Sequence, residues 1–215
     1  MVRNPRARRY LLRLRPDGTA RVTIPRGGSA AMAQQFVERH ATWLERELKR
    51  IQAQPRRPAA WTIGTEILLR GELVRIEPGP NGEPETARIG SETILVPIAA
   101  TDLRPAIEGW LRQLAARELP GRLLELAARH GLTVRRITVR NQKSRWGSCS
   151  RRGTISLNWR LIQTPAFVCD YICLHELMHL RQMNHSSAFW GEVEQVCPDY
   201  RMAERWLKEN PGLLR

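Results

Sequence analysis

The stretch Leu174-His-Glu-Leu-Met-His-Leu-Arg-Gln-Met-Asn-His185 constrains this chain more than any other, because its spacing suits one metal ion. On a helix, His175 and His179 lie one turn apart on the same face. Two imidazoles so placed can close on a zinc ion, and Glu176 can reach a water there as general base. A catalytic zinc takes three protein ligands and keeps a fourth position open. His185 supplies the third. On a straight helix it would sit about 9 Å further along the axis and about 120° off the zinc face. The helix therefore has to stop before it and the chain has to fold back. With five histidines in 215 residues, the full pattern arises by accident in roughly one such chain in five thousand. The bland alternative is a helix whose histidines line a polar pocket and bind nothing.

The neighbouring sequence supplies a frame for that helix. Asp102 is placed to cap a helix carrying Leu103, Ile107, Trp110, Leu111 and Leu114 on one face. Pro120-Gly121 should break or kink it before it continues to Gly131, a C-cap residue. His130, just before Gly131, needs no metal role there. Residues 133–140 and 154–161 read as strands, the second with Ile155, Leu157, Trp159 and Leu161 on one side. Thr164 and Pro165 read as the N-cap and first-turn proline of the zinc helix. Ser186 or Ser187 can cap a following helix that buries Phe189, Trp190, Val193 and Val196 and holds His185 rigid.

Cys169 and Cys173 lie well round the zinc helix from His175, roughly 120° and 160° away, off the face a ligand would need. With Leu177 and Leu180 they form an apolar core stripe, so both are expected as buried, reduced thiols. Cys149 and Cys197 complete a set of four that does not resemble a secreted disulfide framework. Neither a signal-peptide core nor a membrane-length apolar run is visible, and the expectation is a soluble cytoplasmic protein.

The first hundred residues read as a support region. Tyr10–Arg15 and Ala20–Pro25 are two short strands around Pro16-Asp17-Gly18. Ser29 then caps one long helix that should bury Met32, Phe36, Val37, His40, Trp43, Leu44, Leu48 and Ile51 and run to about residue 52. Gln54–Pro58 is a linker-like break. Short β-branched runs follow at residues 61–63, 66–71, 73–76 and 93–97, separated by Gly, Pro and Asn as in Pro78–Pro84. The net charge of +14 is uneven: residues 1–60 hold 14 Lys/Arg against 4 Asp/Glu, and residues 61–100 hold 3 against 6. Weak nucleic-acid association through the basic N-terminal region follows as a secondary expectation, since net charge bears on non-specific contact rather than on a site.

Arg145-Trp-Gly-Ser-Cys-Ser150, the run Ile155–Arg160, His175–Leu180, Asn184-His-Ser186, Phe189-Trp190 and Pro198-Asp-Tyr200 together resemble the YgjP-like metallopeptidase family, a zincin group related to the SprT-like and WLM peptidases. The match is strong from about residue 134 to 207 and only general before that. With the reading of the first hundred residues, the resemblance gives an α+β fold: a zincin-like C-terminal domain at 100–215, with an active-site helix and small antiparallel sheet, after a β-rich N-terminal subdomain at 1–99 with one long helix. It also implies a metalloendopeptidase-like zinc enzyme acting on peptide or protein, with His175, His179 and His185 as ligands of one zinc ion and Glu176 as base. An edge strand at 154–161 should run over the cleft, making Ser156 and Asn158 substrate-strand residues.

Metzincins with this histidine spacing turn the chain at a glycine three residues after the second histidine. Gln182 occupies that position here, so Asn184, tolerant of the left-handed region, is expected to make the turn. Candidates for stabilising the transition state are Tyr200, Arg145 and Asn158, and Asp199 could orient a ligand histidine. Tyr200 packed between helices and Arg145 buttressing its loop are the bland alternatives; Trp146 and Trp159 read as core or cleft wall. Two rival functions are a non-catalytic zinc-stabilised module associated with nucleic acid and a peptidase acting on nucleic-acid-bound protein. A fourth protein ligand on the zinc would favour the module.

Overall fold

The computed structural model describes residues 1–15, 18–53, 60–80, 83, 85–97 and 100–214. Its contacts divide the chain into two compact units, Met1–Ala59 and Ala60–Arg215. The architecture is α+β, with three small sheets and six α-helices among the described residues. Among the described residues no helix is long and apolar enough to cross a membrane.

In the first unit β1 (Val2–Arg3), β2 (Leu11–Leu14) and β3 (Ala20–Ile24) form a sheet in the order β1-β3-β2. Pro16 and Asp17 of the expected turn lie outside the described residues. Ser29 caps α1 (Ala30–Arg39) as expected, its hydroxyl accepting from the Met32 N–H at 3.1 Å. The single long helix does not form: α2 (Ala41–Ala53) starts anew after His40. There the His40 ring nitrogen takes the Phe36 carbonyl at 2.7 Å, while its backbone N–H drops back to Val37 O. That exchange ends the α-helical ladder. His40, Met32 and Trp43 are exposed rather than core, and Val22, Ile24 and Ala33 form the small core instead. The expected break at Gln54–Pro58 lies outside the described residues.

In the second unit β4 (Glu66–Leu69), β5 (Glu72–Pro78), β6 (Thr86–Ile89) and β7 (Glu92–Leu95) form an antiparallel meander. Residues 61–63 form no strand, and β6 was not foreseen. Asn81, Gly82 and Pro84 of the Pro78–Pro84 break lie outside the described residues. The sheet's apolar face shares one core with the helices that follow, which is why contacts divide the chain at 59/60 and not at the expected 99/100. Helix α3 (Arg104–Arg129) runs unbroken through Pro120. Leu114, Leu119, Leu123 and Leu126 are buried on both sides of it, and their packing outweighs the one hydrogen bond that proline removes. Leu103 is the N-cap residue, but the Asp102 carboxylate accepts from Arg104 N–H at 2.9 Å and from Trp61 N–H at 2.7 Å. The C-terminus closes as a Schellman motif: Leu132 N–H donates to Ala127 O and Gly131 N–H to Ala128 O, with Gly131 at φ +62°.

Strands β8 (Arg136–Arg140), β9 (Gly147–Cys149) and β10 (Thr154–Asn158) form the third sheet in the order β8-β10-β9. It is mixed rather than antiparallel, because β8 runs parallel to β10 while β9 is antiparallel. The strand expected at 154–161 ends at Asn158, whose side-chain oxygen accepts from Arg160 N–H and starts a 3-10 turn, Trp159–Gln163. Thr164 belongs to that turn: its hydroxyl donates to Leu161 O at 2.8 Å, leaving Pro165 as N-cap of α4 (Ala166–Met178). Helices α5 (Ser187–Val196) and α6 (Tyr200–Glu209) complete the unit.

Candidate metal centre

The site is built on α4, which is fixed from two sides. The β4–β5 hairpin turns through Arg70 (φ 52°) and Gly71 (φ 87°), the two positive-φ positions of a type I′ loop. The N–H groups of this loop donate to Ile162 O at 2.8 Å and Gln163 O at 3.1 Å, just before α4 starts. Gly71 lies so close to Pro165 that a Cβ would come within 2.6 Å of its ring. From α3, Arg122 grips Asp170 in a two-pronged ion pair at 2.7 and 2.6 Å. Cys169, Cys173 and Leu177 are buried opposite the site, as the apolar stripe predicted, and all four cysteines are unpaired. Hydrogen bonding with Cys169, together with burial, raises the Cys173 thiol well above its ordinary range.

Helix α4 stops at Met178 with His179 as its C-cap, so the expected reversal occurs, though not at Asn184. Arg70 is the only non-glycine with positive φ among the described residues. The turn is made by tightened helical bonds, Leu180 N–H to Leu177 O and Arg181 N–H to Met178 O. Arg181 then ties the turn down, pairing with Glu192 of α5 at 2.7 Å and donating to His130 O at the end of α3 at 3.2 Å. Ser186 caps α5, and the buried Phe189 ring lies 4.9 Å from His175, 4.5 Å from His179 and 4.8 Å from His185 between ring centres. One aromatic ring holds all three imidazoles.

The outcome is a triad whose ligand atoms all lie within 4.8 Å of one another. The Nε2 atoms of His175 and His185 approach to 3.0 Å. Two nitrogens bound tetrahedrally to one zinc stand about 3.3 Å apart, so this pair needs almost no adjustment. His179 Nδ1 contacts Gln182 O at 2.9 Å. A carbonyl only accepts, so Nδ1 carries the proton and Nε2 keeps its lone pair for a metal. Burial, reinforced by repulsion from His179 and His185, lowers the His175 pKa to about 4, and burial lowers that of His179 as well. Neutral imidazoles are the form a metal requires. The residues fit a zinc ion.

Glu176 is 5% exposed and its Oε2 has no hydrogen-bond partner among the described residues. Burial raises its pKa to about 7 against the opposing attraction of Arg145. Gly147 of β9 lies directly over it: a Cβ there would stand 2.6 Å from Glu176 Cγ and Oε1. A cleft of about 610 Å³ opens above, bounded by β9 with Arg145 and Trp146 on one side and by Glu204, Leu207 and Lys208 of α6 on the other.

Strand β9 is therefore the edge over the cleft, and β10 is the central strand. This corrects the assignment of Ser156 and Asn158. Ser156 is buried and accepts from the Thr138 hydroxyl, while Asn158 is fully buried and donates to the carbonyls of Gln142 and Arg145. Asn158 thus buttresses the loop before β9 and does not line the cleft. Tyr200 stacks between Trp190 and Tyr171 at 5.5 and 6.1 Å and is not among the cleft-lining residues. Asp199 is exposed and hydrogen-bonds to no ligand histidine; the Gln182 carbonyl does that work. Trp159 is core and Trp146 cleft wall. Sequence reasoning missed β9, Tyr171 and all of α6. The last had a readable signal, Ala203, Trp206 and Leu207 at helical spacing after Pro198-Asp199.

Three imidazole nitrogens converging beside a buried, unpartnered carboxylate have the make-up of a metal-dependent hydrolase. The chain belongs to the YgjP-like family: that family's metallopeptidase domain matches residues 8–210. Among solved structures it is similar to the metallopeptidase zymogen abylysin of Pyrococcus abyssi, at 27% identity and TM-score 0.39, over 43% of this chain and 95% of that one. The metallopeptidase zymogen jannalysin of Methanocaldococcus jannaschii is 22% identical with TM-score 0.38, over 45% and 97% respectively. No curated protein matches.

Proposed function

We propose that this metallopeptidase is zinc-dependent, with His175, His179 and His185 holding one zinc ion and Glu176 acting as general base in a zincin-like arrangement of α4 beneath β9. The observation that carries this reading is the buried Glu176 Oε2, unpartnered beside three converging imidazoles. Zinc, when bound, supplies Lewis-acid chemistry that polarises a carbonyl and acidifies water.

Glu176 takes the proton of the attacking water as the water oxygen bonds to the carbonyl carbon, then delivers it to the amide nitrogen as the C–N bond breaks. Burial keeps its basicity near the operating range, and Arg145 keeps the carboxylate accessible. The free edge of β9 pairs with an extended substrate backbone, in place of the strand 154–161. Main-chain pairing of that kind is indifferent to chain ends, which favours an endopeptidase. Arg145 is the one transition-state candidate that lines the cleft. The four unpaired cysteines suit a cytoplasmic, reducing address. The nucleic-acid readings have only net charge behind them, and no residue of the cleft supports them.

The test compares wild type and Glu176→Gln, each supplied with one equivalent of zinc, on a broad peptide library. Zinc retained with turnover abolished is the expected result. Undiminished turnover by the variant would overturn the role of Glu176.

A further inference from the structure

The α6 wall of the cleft contains a carboxylate that the proposed chemistry does not use. Glu204, Leu207 and Lys208 share one face of α6, spaced i, i+3 and i+4, and all three line the cleft. They stand across from Tyr171 and Ile172, one turn before His175 on α4. Glu204 is half-buried, and its one hydrogen bond is from the neutral Tyr171 hydroxyl, at 3.3 Å. In the same unit Glu108, Glu118, Glu125, Glu192 and Asp170 each pair with an arginine. Among the described residues Glu204 has no ion pair. Lys208 stands one turn further along at the exposed rim, and Arg201 lies toward the Tyr200 ring, outside the cleft lining. The apolar flank of Ile172 and Leu207 beside this carboxylate suits a long aliphatic stem with a cationic tip.

We infer that Glu204 is a specificity-determining residue, selecting peptides with an arginine or lysine side chain on the α6 side of the scissile bond. The inference rests on the peptidase reading and names the substrate class of that same cleft. Tyr171 donates to one oxygen of the carboxylate, leaving the second oxygen and the remaining lone pairs for an incoming cation. A half-buried carboxylate discriminates charge more strongly than one at a wet rim.

The test uses full-length protein loaded with zinc and a positional-scanning peptide set in which one position is Arg, Met or Glu. Wild type should cleave the Arg series best at one position next to the cleaved bond. Glu204→Gln should lower the Arg-to-Met ratio of kcat/KM there by about tenfold with little change for Met, and Glu204→Asp should restore part of it. Lys208→Gln should leave the preference for Arg intact or raise it. A second readout is the affinity of the Glu176→Gln form for the Arg and Met peptides, which should show the same ratio without turnover. An unchanged ratio in Glu204→Gln, or a wild-type preference for Glu, would overturn the inference while leaving the peptidase reading standing. Wild type that cleaves no peptide at all, with binding still selective for Arg, would overturn the peptidase reading and not the subsite.

Discussion

Gly147→Ala is the most informative single perturbation, because it touches the chemistry without touching a ligand or the charge of the cleft. Gly147 has an ordinary extended backbone in β9, so alanine carries no conformational penalty there. Its penalty is steric. The added methyl would stand 2.6 Å from Glu176 Cγ and Oε1 and 2.8 Å from Cδ. An ordinary contact begins at 3.4 Å, so the carboxylate has to retreat by about 0.8 Å. Because Cγ is next to the helix-bound stem, rotation of the carboxylate alone does not relieve the clash. A misplacement of about 1 Å at a reacting group costs about a hundredfold, and the expected loss in kcat/KM is about 30- to 100-fold. Zinc content should be unchanged, since none of the three nearest atoms belongs to a histidine. Gly153→Ala is the control: it is strained by φ +71°, but its nearest neighbour is Arg135, and it should lose stability with kcat/KM nearly unchanged. Steady-state kinetics with metal analysis of both variants decides the matter. Gly147→Ala with more than a third of wild-type kcat/KM would refute the proposal that the Glu176 carboxylate beneath β9 carries the chemistry.

Three further outcomes follow from the frame around α4. Gly71→Ala combines φ +87° with a Cβ 2.7 Å from the Pro165 backbone, and should destabilise the second unit by about 2–4 kcal/mol in denaturant titration; an unchanged midpoint would contradict the docking of the hairpin. Asp170→Asn leaves Arg122 with Glu125 alone and, because the pair is partly solvent-screened, should cost only about 1 kcal/mol; a loss above about 3 kcal/mol would mean the pair is more deeply desolvated than the structure shows. The N–H groups of Trp61 and then Arg104 hold the Asp102 carboxyl below the usual carboxylate range. Its stabilisation is therefore fully present above the unfolded pKa of about 3.9 and lost as pH falls through the lower folded value. The gap in melting temperature between wild type and Asp102→Asn should close across that window, and a gap constant down to low pH would refute the assignment.

The histidine triad was legible because one helical turn and one forced reversal are local facts, set by spacing within twelve residues. The capping serines 29 and 186 and the Schellman end at Gly131 were legible for the same reason. What failed depended on partners distant in sequence. Pro120 looked like a helix breaker until the leucines on either side proved to share a core with the β4–β7 sheet. Residues 154–161 alternated well enough to suggest an edge strand, yet whether a strand is edge or centre depends on its neighbours, and β9 is too short at three residues to show a period. Asn184 was a sound turn former at a turn that needed none, since negative-φ bonds and the Arg181 clamp reverse the chain. Tyr171 and Glu204 face each other across 33 residues, and no local pattern announces such a pair.

The most direct test of the central claim is X-ray absorption at the zinc edge on the purified protein. The predicted result is one zinc per chain with three imidazole nitrogens and one exchangeable oxygen, all at about 2.0–2.1 Å. A sulfur shell at about 2.3 Å, as Cys149 of the cleft would give, or a fourth protein ligand that closes the coordination sphere, would contradict it.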